Sequence, residues 1–453
     1  MKEFLITFYG DDFTGSTDAM ECLEINGMRA VLFLDLPTPE QLASLPKEVQ
    51  AVGLAGVTRT MTTAQMDEEL TPKFSALKAL GAPFVHYKIC STFDSSPTIG
   101  SIGHAVEIGF GIFHPTVVPM MVGAPFLRRY VAFGNLFARV GDVTYRLDRH
   151  PTMSKHPITP MTESDLRLHL GKQTSRKIGL IDLWHLSHPE ADIDARLQSL
   201  VEQGHEIVIF DTLDNDQMMQ IGRIVWNLRG ESPVFLVGSS GFEYSLGMYL
   251  QSIGVLTRPM LRTTAGKVGQ LLVISGSCAP GTAEQISHAI EQGFTGIRLN
   301  VPRLIDPGTA EAERCAAVQA AMAELARGAS VVMYSALGPD DPAIGQTKMF
   351  MEALGLDVNQ IGDRLGSQQG KILRAVLEQT NLRRVCVAGG DTCGYSARQL
   401  SIFALEMVIP IAPGAPLCQA HSDLPRFHGI EISLKGGQNG TPVYFEQILN
   451  GNS

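Results

Sequence analysis

Cysteines are few and unpaired in this sequence, which excludes two kinds of small-domain scaffold. The 453 residues include seven cysteines, an odd number, and no two of them stand in a C-x-x-C pair. A disulfide framework requires pairs of cysteines, and a structural zinc site requires closely spaced thiolate or imidazole ligands. We therefore expect neither, and we expect a reduced protein in the cytoplasm.

Long apolar runs and excess positive charge are also missing. No segment approaches the about 18 consecutive apolar residues of a membrane helix, and the first apolar run ends at Asp11, too early for a secretory signal. Lys and Arg number 36 against 46 Asp and Glu, which gives a formal net charge of −10. This balance disfavours nucleic acid and anionic membranes as partners, although it leaves room for a local basic pocket that binds a small anion.

Apolar residues, in contrast, are numerous enough to fill full-sized cores. They make up 44% of the chain, and strand-like apolar runs alternate with helical ones throughout. This alternation predicts an α/β fold with two three-layer domains and mostly parallel sheets, and the length fits two or three domains. A stretch in which apolar residues do not recur at regular spacing marks the boundary between the two domains. We predict a first domain over residues 1–255, a linker over 256–269 and a second domain over 270–453.

Two adjacent carboxylates follow the first predicted strand. The apolar run 4–9 stops at Gly10, and Asp11 and Asp12 come directly before a helical pattern. Ligands bind at the carboxyl ends of strands in open α/β sheets, where paired acids can hold a metal, take a proton from a hydroxyl or bind polyol hydroxyls. The simpler interpretation is that one aspartate caps the following helix. Because a cap needs only one, we favour a functional role for the pair.

Cationic and hydroxyl-bearing residues follow two more predicted strands of the first half. Arg59 comes shortly after the third strand, and Lys88, Cys90 and Ser91 mark the end of the fourth. The carboxyl ends of these strands are expected to share one crevice. Arg59 and Lys88 suit a carboxylate ligand there, and Arg can bind it bidentately. An ordinary surface position for Arg59 is the alternative.

An irregular stretch, 145–170, is rich in His, Pro, Thr and Met. It predicts a long functional loop that leads into a helix near 163–170. Its His150 and His156 either help to bind a substrate or only hold the loop together.

Three glycine-rich strand exits mark the second half. Each offers free backbone N–H groups beside hydroxyl, acid or amine side chains. A single glycine-rich exit of this kind would be interpreted only as a strand-to-helix turn. Lys435 by itself would be interpreted as a surface lysine. Three in one predicted domain favour a site for nucleotide phosphates. The candidate residues are Ser275 and Ser277 in the first exit, Gly389, Gly390, Asp391 and Thr392 in the second, and Lys435, Gly436 and Gly437 in the third.

In this order, these motifs resemble the four-carbon acid sugar kinase family, and the resemblance covers essentially the whole chain. The segments that carry it are Asp11-Asp12-Phe13-Thr14-Gly15, Tyr87-Lys88 with Ser91-Thr92, Thr159-Pro160-Met161, Ser275-Gly276-Ser277, Gly389-Gly390-Asp391-Thr392 and Leu434-Lys435-Gly436. The resemblance implies a two-domain α/β kinase whose first domain binds the sugar acid and whose second binds ATP. It also implies which residues contact the ligands: Asp11 or Asp12, Arg59 and residues 88–91 for the sugar acid, and Ser275, residues 389–392 and Gly436 for ATP.

The exit of the fourth strand departs from the usual pattern of that family. Relatives usually have an aspartate where this chain has Cys90, and a leucine-arginine pair where it has Phe93-Asp94. One carboxylate is therefore lost, and another is gained four residues later. The change disfavours the simplest tetronate as the substrate. It fits 3-oxo-tetronate, or a branched or oxidised acid such as 3-oxo-isoapionate.

These observations predict an ATP-dependent kinase that phosphorylates a hydroxyl of a small four-carbon or branched sugar acid. In this hypothesis Asp12 orients or deprotonates the hydroxyl, and the glycine-rich backbone, Lys435 and Mg²⁺ stabilise the phosphates of ATP. The expected partner is the small sugar acid, and the chain is also open to forming a homo-oligomer. A non-catalytic sensor of sugar acids or nucleotides is the alternative from another class. An NAD-dependent dehydrogenase is a weaker one, because Asp11 and Asp12 would repel a pyrophosphate.

Overall fold

The computed structural model describes residues 3–156, 158–353, 355 and 361–452, apart from the side chain of Asp391. The chain divides into two compact units, Met1–Pro259 and Met260–Ser453. Both are α/β, which confirms the predicted fold class. The assignment of the sugar acid to residues 1–255 and of the nucleotide to 270–453 stays a prediction at this point.

Strands and helices alternate along the N-terminal unit. Its strands are β1 Ile6–Gly10, β2 Ala30–Phe33, β3 Ala51–Ala55, β4 Phe84–Lys88, β5 Val118–Met121, β6 Arg129–Ala132, β7 Asn135–Val140, β8 Val143–Arg146, β9 Ile178–Ile181, β10 Ile207–Phe210 and β11 Val234–Gly238. Its helices are α1 Phe13–Ile25, α2 Pro39–Ser44, α3 Thr63–Ala79, α4 Ile102–Phe113, α5 Leu166–Leu170, α6 Leu183–Leu186, α7 Glu190–Glu202, α8 Asn215–Asn227 and α9 Gly241–Ser252.

A parallel sheet in the order β2-β3-β1-β4-β11-β5-β10-β9 forms the centre of this unit, and β6, β7 and β8 form a small antiparallel sheet beside it. Every residue of β1, β3, β4 and β11 is buried, because helices cover both faces of a parallel sheet. The register sets Gly10 level with both Ala55 and Lys88. The chain segments that leave β1, β3 and β4 therefore begin side by side.

The C-terminal unit has a mixed sheet in the order β13-β14-β12-β15-β18-β17-β16. The strands from β13 to β18 in this order are parallel, and β17 and β16 continue the sheet in antiparallel pairing. The strands are β12 Leu272–Ser275, β13 Thr295–Arg298, β14 Val331–Tyr334, β15 Arg384–Ala388, β16 Ile402–Ala412, β17 Ala415–Ser422 and β18 Glu431–Lys435. The helices are α10 Pro280–Glu291, α11 Val301–Ile305, α12 Ala310–Ala326, α13 Pro342–Ala353, α14 Ile361–Gln379, α15 Gly390–Gln399 and α16 Tyr444–Asn450.

The helices of the described residues are each too short or too polar to cross a lipid bilayer.

Two glycines of α4 have opposite surroundings. A Cβ on Gly109 would lie 2.1 Å from Cε1 of Phe235, a buried side chain of β11. The Phe235 ring stacks on Phe113 with 4.8 Å between the ring centroids, so it has little room to move. A Cβ on Gly111 would meet no atom within 4 Å.

We expect Gly109→Ala to lower the free energy of unfolding by about 1–3 kcal/mol, because the added methyl overpacks the core against Phe235. Gly111→Ala should raise it by about 0.5–1 kcal/mol, since alanine loses less entropy than glycine inside a helix. Chemical denaturation of both variants measures the difference. Equal effects of the two substitutions would contradict the packing of α4 on β11.

Candidate active site

The turn after β1 is joined to the segments that follow its two neighbouring strands. The backbone N–H of Asp11 donates to the carbonyl of Lys88 at 2.8 Å, and the N–H of Arg59 donates to the carbonyl of Asp11 at 3.0 Å. The predicted residues Asp11, Asp12, Arg59 and Lys88 thus come together at one edge of the sheet, as expected for the carboxyl ends of parallel strands.

Arg59 bridges the two carboxylates. Its Nη2 lies 2.7 Å from Oδ1 of Asp11 and 2.8 Å from Oδ1 of Asp12, and its Nη1 donates to Oδ2 of Asp12 at 2.9 Å. A planar guanidinium presents five N–H donors in a fixed fork, which lets one cation serve two acids. Arg59 is therefore an organising residue of the acid pair, and the surface alternative is wrong.

Asp12 also caps α1. Its Oδ1 accepts from the backbone N–H of Gly15 at 2.8 Å, and its Oδ2 accepts from the hydroxyl of Thr14 at 2.8 Å. The capping interpretation is thus true of Asp12, but it leaves Asp11 unexplained. The pair as a whole is built around Arg59.

The two carboxyl groups differ in exposure and in acidity. The side chain of Asp11 is 3% exposed, whereas that of Asp12 is 25% exposed. Burial raises the pKa of Asp11 although Arg59 opposes the shift. Burial acts on Asp12 in the same direction, but Arg59, Lys88 and the hydrogen bond from Thr14 together lower its pKa. Asp12 is therefore the more exposed and the more acidic member of the pair.

Lys88 is buried, and its ammonium group lies 3.2 Å from Oδ2 of Asp18. Burial disfavours its charge, but Asp18, Glu243 and the two turn aspartates outweigh this and raise its pKa well above the usual value. The two cations of the turn, Arg59 and Lys88, are therefore balanced by four carboxylates, those of Asp11, Asp12, Asp18 and Glu243. Sequence reasoning missed the part of Asp18, although this residue of α1 comes only six positions after Asp12.

The loop after β4 brings Cys90 and Ser91 to the same edge. The thiol of Cys90 lies 2.9 Å from the hydroxyl oxygen of Thr92, and Ser91 is half-buried beside it. Burial and the negative charge of Asp94 raise the pKa of Cys90 to about 11, so its thiol is neutral at physiological pH.

The irregular stretch holds itself together through its histidines. Nδ1 of His150 accepts from the backbone N–H groups of Thr152 at 3.2 Å and of Met153 at 3.1 Å. Nδ1 of His156 lies 3.1 Å from the backbone nitrogen of Thr159 and accepts its hydrogen. These contacts favour the second of the two predicted roles, that of holding the loop.

In the C-terminal unit the three glycine-rich loops converge. The N–H of Gly276, after β12, donates to the carbonyl of Ala388 at 2.9 Å, and the N–H of Gly389, after β15, donates to the carbonyl of Lys435 at 2.9 Å. A hydroxyl of α10, that of Thr282, donates to the carbonyl of Gly437 at 2.7 Å. The carboxyl ends of β12, β15 and β18 thus form one site, which brings together Ser275, Ser277 and the two later loops.

Glycine is required at the closest approaches in this site. A Cβ on Gly276 would lie 2.1 Å from Oγ1 of Thr392, and Gly389 has a φ of +123°. A Cβ on Gly390 would meet no atom within 4 Å, so the backbone there faces open space. Gly390 is also the first residue of α15, whose N-cap provides no side-chain hydrogen bond. Free N–H groups at an open helix N-terminus fit an anion such as a phosphate.

Two further residues, neither of them among the predicted site residues, complete this site. Gln369 of α14 donates from Nε2 to the carbonyl of Ser275 at 2.9 Å and accepts from Thr392 at 3.2 Å. Thr282 accepts from the ammonium group of Lys435 at 3.0 Å. The predicted site residue Asp391 has its backbone in α15, but its side chain lies outside the described part of the structure.

Lys435 is fully buried, and among the described side chains no carboxylate lies within ion-pair distance of it. Burial lowers its pKa to about 8, against a small opposing effect of Cys386 and Cys393. Sequence reasoning placed this lysine in the site but treated a surface position as the alternative. Its burial excludes that alternative.

No preformed metal cage is found. Among the described residues, no three His, Cys, Asp or Glu side chains are grouped so that they could hold a metal ion. Mg²⁺ in phosphoryl transfer is bound largely by the phosphates themselves with one or two carboxylates, so the residues present are compatible with an ion that arrives with a nucleotide.

Comparison with known proteins identifies both units. A family model described as a sugar-binding N-terminal domain matches residues 6–246, and one described as a nucleotide-binding C-terminal domain matches residues 272–445. The chain is 46% identical over 449 residues to a 3-oxo-isoapionate kinase of Paraburkholderia graminis, covering 99% of this chain and 94% of that one. It is 28% identical to a 3-oxo-tetronate kinase of Cupriavidus necator, covering 98% and 96% of the two chains.

Two solved structures share the fold. A Salmonella typhimurium LT2 protein described as a putative tRNA synthase has a TM-score of 0.78 at 24% identity and covers 98% of each chain. A Haemophilus influenzae protein assigned to DUF1537 has a TM-score of 0.73 at 24% identity and covers 97% of this chain and 98% of that one. From its motifs, its fold and these relatives, we conclude that the chain belongs to the four-carbon acid sugar kinase family, with a sugar-binding domain followed by a nucleotide-binding domain.

Proposed function

We propose that this protein transfers the γ-phosphoryl group of ATP to a hydroxyl of a 3-oxo sugar acid of the 3-oxo-isoapionate or 3-oxo-tetronate type. The observation that carries the proposal is the carboxylate of Asp12, which is 25% exposed at a strand edge and has a lowered pKa, in a chain whose other unit brings three glycine-rich loops together. The 46% identity to a 3-oxo-isoapionate kinase supports the oxidised, branched acid as the substrate class. Cytoplasmic location and a homo-oligomeric state stay predictions.

In this proposal Asp12 is the catalytic residue. Its carboxylate is 25% exposed and its pKa is lowered, so it accepts a hydrogen bond from the attacking hydroxyl over the whole physiological pH range. A lowered pKa makes a carboxylate a weak general base. Phosphoryl transfer depends mainly on positioning and on neutralising charge, and it requires little proton abstraction before the transition state. Orientation of the hydroxyl is therefore the role proposed for Asp12.

The other residues of the edge position Asp12 and line the sugar-acid site. The side chain of Asp11 is only 3% exposed, so its proposed role is indirect. It binds Arg59, whose guanidinium also binds Asp12. Lys88 adds positive charge beside the turn. Cys90 and Ser91 line the same edge, and the neutral thiol of Cys90 accommodates an oxo or hydroxyl group without adding a charge.

The nucleotide is proposed to bind at the converging loops of the second domain. Bound ATP supplies the γ-phosphoryl group, and Mg²⁺ neutralises part of the phosphate charge. The N–H group of Gly390 and the hydroxyl of Ser277 are the proposed donors to the phosphates, with Ser275, Gly389, Asp391, Thr392, Gly436 and Gly437 in the same loops. Lys435 is buried, so its charge acts on the phosphates from within the fold. Phosphoryl transfer requires the γ-phosphate of the bound ATP to reach the hydroxyl of the bound sugar acid.

A coupled ADP-release assay over 3-oxo-isoapionate, 3-oxo-tetronate, threonate and erythronate tests the proposal. We expect ATP-dependent turnover with at least one of the 3-oxo acids, and kcat/KM values for threonate and erythronate that are at least tenfold lower, which corresponds to about 1.4 kcal/mol. Binding of acid and nucleotide without any ADP release would instead indicate a sensor and would refute the kinase.

Asp11 and Asp12 should respond differently to substitution by asparagine. Asp12→Asn keeps a good helix N-cap but loses the charged acceptor, so we expect kcat to fall by about 10²–10⁴-fold with the fold retained. Asp11→Asn removes a buried partner of Arg59, and we expect it mainly to lower the thermal midpoint. Steady-state kinetics and thermal unfolding of both variants measure this. The control is Asp142→Asn, whose side chain is 99% exposed in the turn between β7 and β8.

If Asp12→Asn turned over at the wild-type rate, the proposed role of that carboxylate would be wrong. A rate loss confined to Asp11→Asn would move the catalytic role to the neighbouring residue.

The affinity for ATP should weaken as the pH rises through about 8, the value to which burial lowers the pKa of Lys435. The protonated amine of Lys435 attracts phosphates. Above this pH the amine is mostly neutral, so it must take up a proton when ATP binds. We expect the Kd for ATP to rise about tenfold between pH 7 and pH 9, since one pH unit above the pKa leaves about a tenth of the lysine charged. Isothermal titration calorimetry at both pH values measures the change.

The matched control is Lys435→Met, which keeps a similar volume and removes the titrating group. Its Kd should be weaker at pH 7 and should change little up to pH 9. A wild-type protein with the same Kd at both pH values would exclude Lys435 from phosphate binding.

A further inference from the structure

Helix α10 holds the glycine-rich loop after β18 through two buried side chains. The hydroxyl of Thr282 donates to the carbonyl of Gly437 at 2.7 Å. One turn further along the helix, Nε2 of Gln285 donates to the carbonyl of Asn439 at 2.9 Å. Both side chains are fully buried and lie on the same face of α10, as residues three apart in a helix do. The loop is therefore attached to the helix at two of its peptide groups.

Gly437 also packs against the glycine-rich loop that follows β12. A Cβ on Gly437 would lie 2.6 Å from Oγ of Ser277 and 2.8 Å from Cβ of Ala279. The loop after β12 thus limits where the backbone of Gly437 can lie, and the hydrogen bond from Thr282 fixes the direction of its carbonyl.

The direction of that carbonyl determines the direction of the next N–H group. A trans peptide unit is planar, so its N–H points to the side opposite its C=O. The carbonyl of Gly437 points to the buried hydroxyl of Thr282, and the N–H of Gln438, an exposed residue, therefore points away from α10. Thr282 thus orients a backbone donor in the loop that is proposed to bind phosphates.

The same hydroxyl accepts from the ammonium group of Lys435, at 3.0 Å. A hydroxyl has one hydrogen to donate and two lone pairs with which to accept. Because Thr282 gives its hydrogen to Gly437, its oxygen is free to accept from Lys435. The three groups form one directed chain from the ammonium group through the hydroxyl to the carbonyl, and bonds in such a chain polarise one another.

We infer that Thr282 is a positioning residue for the nucleotide, which transmits the effect of the buried Lys435 charge to the backbone of the loop after β18. The inference rests on the proposed function and deepens it, because it assigns a route by which a lysine with no exposed surface acts on a bound nucleotide. Through Thr282, the ammonium group holds the peptide between Gly437 and Gln438 in the orientation that offers its N–H to a phosphate.

The test is isothermal titration calorimetry of ATP with variants of the full chain. Thr282→Val keeps the branched shape and removes the hydroxyl, so we expect the Kd for ATP to rise about tenfold, which corresponds to about 1.4 kcal/mol. Thr282→Ser keeps the hydroxyl and should restore the Kd to within about threefold of the wild-type value. If Thr282→Val failed to fold, Thr282→Ala would be compared with Thr282→Ser in the same way.

The double variant Thr282→Val/Lys435→Met separates transmission through Thr282 from two independent effects. If both side chains act through one chain of hydrogen bonds, the double variant should bind ATP no more than about twofold more weakly than Lys435→Met alone. A loss in the double variant equal to the product of the two single losses would overturn the inference.

Thr347→Val is the matched control. Thr347 is also a buried helical threonine of this domain, but its hydroxyl donates within α13, to the carbonyl of Ala343 at 2.7 Å. Its Kd for ATP should equal that of the wild-type protein. An unchanged Kd in Thr282→Val, or equal losses in Thr282→Val and Thr282→Ser, would overturn the inference and leave the kinase intact. A wild-type protein that binds no ATP would overturn both.

Discussion

The acid turn of the N-terminal domain depends on one cation, Arg59, placed between two adjacent carboxylates. Asp11 and Asp12 are neighbours in sequence and would repel each other if both were ionised, which would raise the pKa of one of them. The guanidinium lies 2.7 Å from an oxygen of Asp11 and 2.8 Å from an oxygen of Asp12, and its charge opposes the rise in the pKa of Asp11. Buried ion pairs of this kind contribute little net stability, but they fix geometry, and removal of one partner leaves an uncompensated charge.

The two aspartates of the turn therefore differ in their contacts and in their exposure. Asp11 is enclosed and receives its charge balance from Arg59, so it holds the arginine in position. Asp12 binds Nη1 and Nη2 of the same guanidinium, accepts from the N–H of Gly15 in α1 and keeps a quarter of its side chain exposed. The carboxylate that we propose as the one facing the substrate is thus held by bonds to its own turn and to Arg59, which follows β3. Preorganisation of this kind is what phosphoryl transfer requires of a protein.

The second domain differs from the first in how its buried cation is balanced. Its loops converge through backbone contacts of Gly276 and Gly389, and its cation, Lys435, is buried against the Thr282 hydroxyl with no described carboxylate beside it. An unneutralised buried amine with a lowered pKa is costly when empty and becomes favourable when an anion binds. The cations of the acid turn are thus paired with protein carboxylates, whereas Lys435 has none beside it among the described side chains, which is why we propose that it acts on a bound anion.

Residues at strand exits were predictable from the sequence because strand ends are visible as apolar runs that stop, and parallel pairing brings those ends together. The positions of Asp11, Arg59, Ser275 and Gly389 at these strand ends were predicted in this way. The position of Gln369 beside Ser275 was not, since it lies inside α14 and no local pattern marks it. The partner of Lys88 was also missed, because the pairing of β4 with α1 is a tertiary contact.

The most direct test of the account is the turnover of Arg59→Lys with the preferred 3-oxo acid. Lysine keeps the positive charge but cannot bridge two carboxylates with a planar fork. The account predicts a fall in kcat of about 10²-fold or more with the affinity for ATP unchanged, since a misplaced Asp12 no longer orients the hydroxyl. A kcat equal to that of the wild-type protein would contradict it.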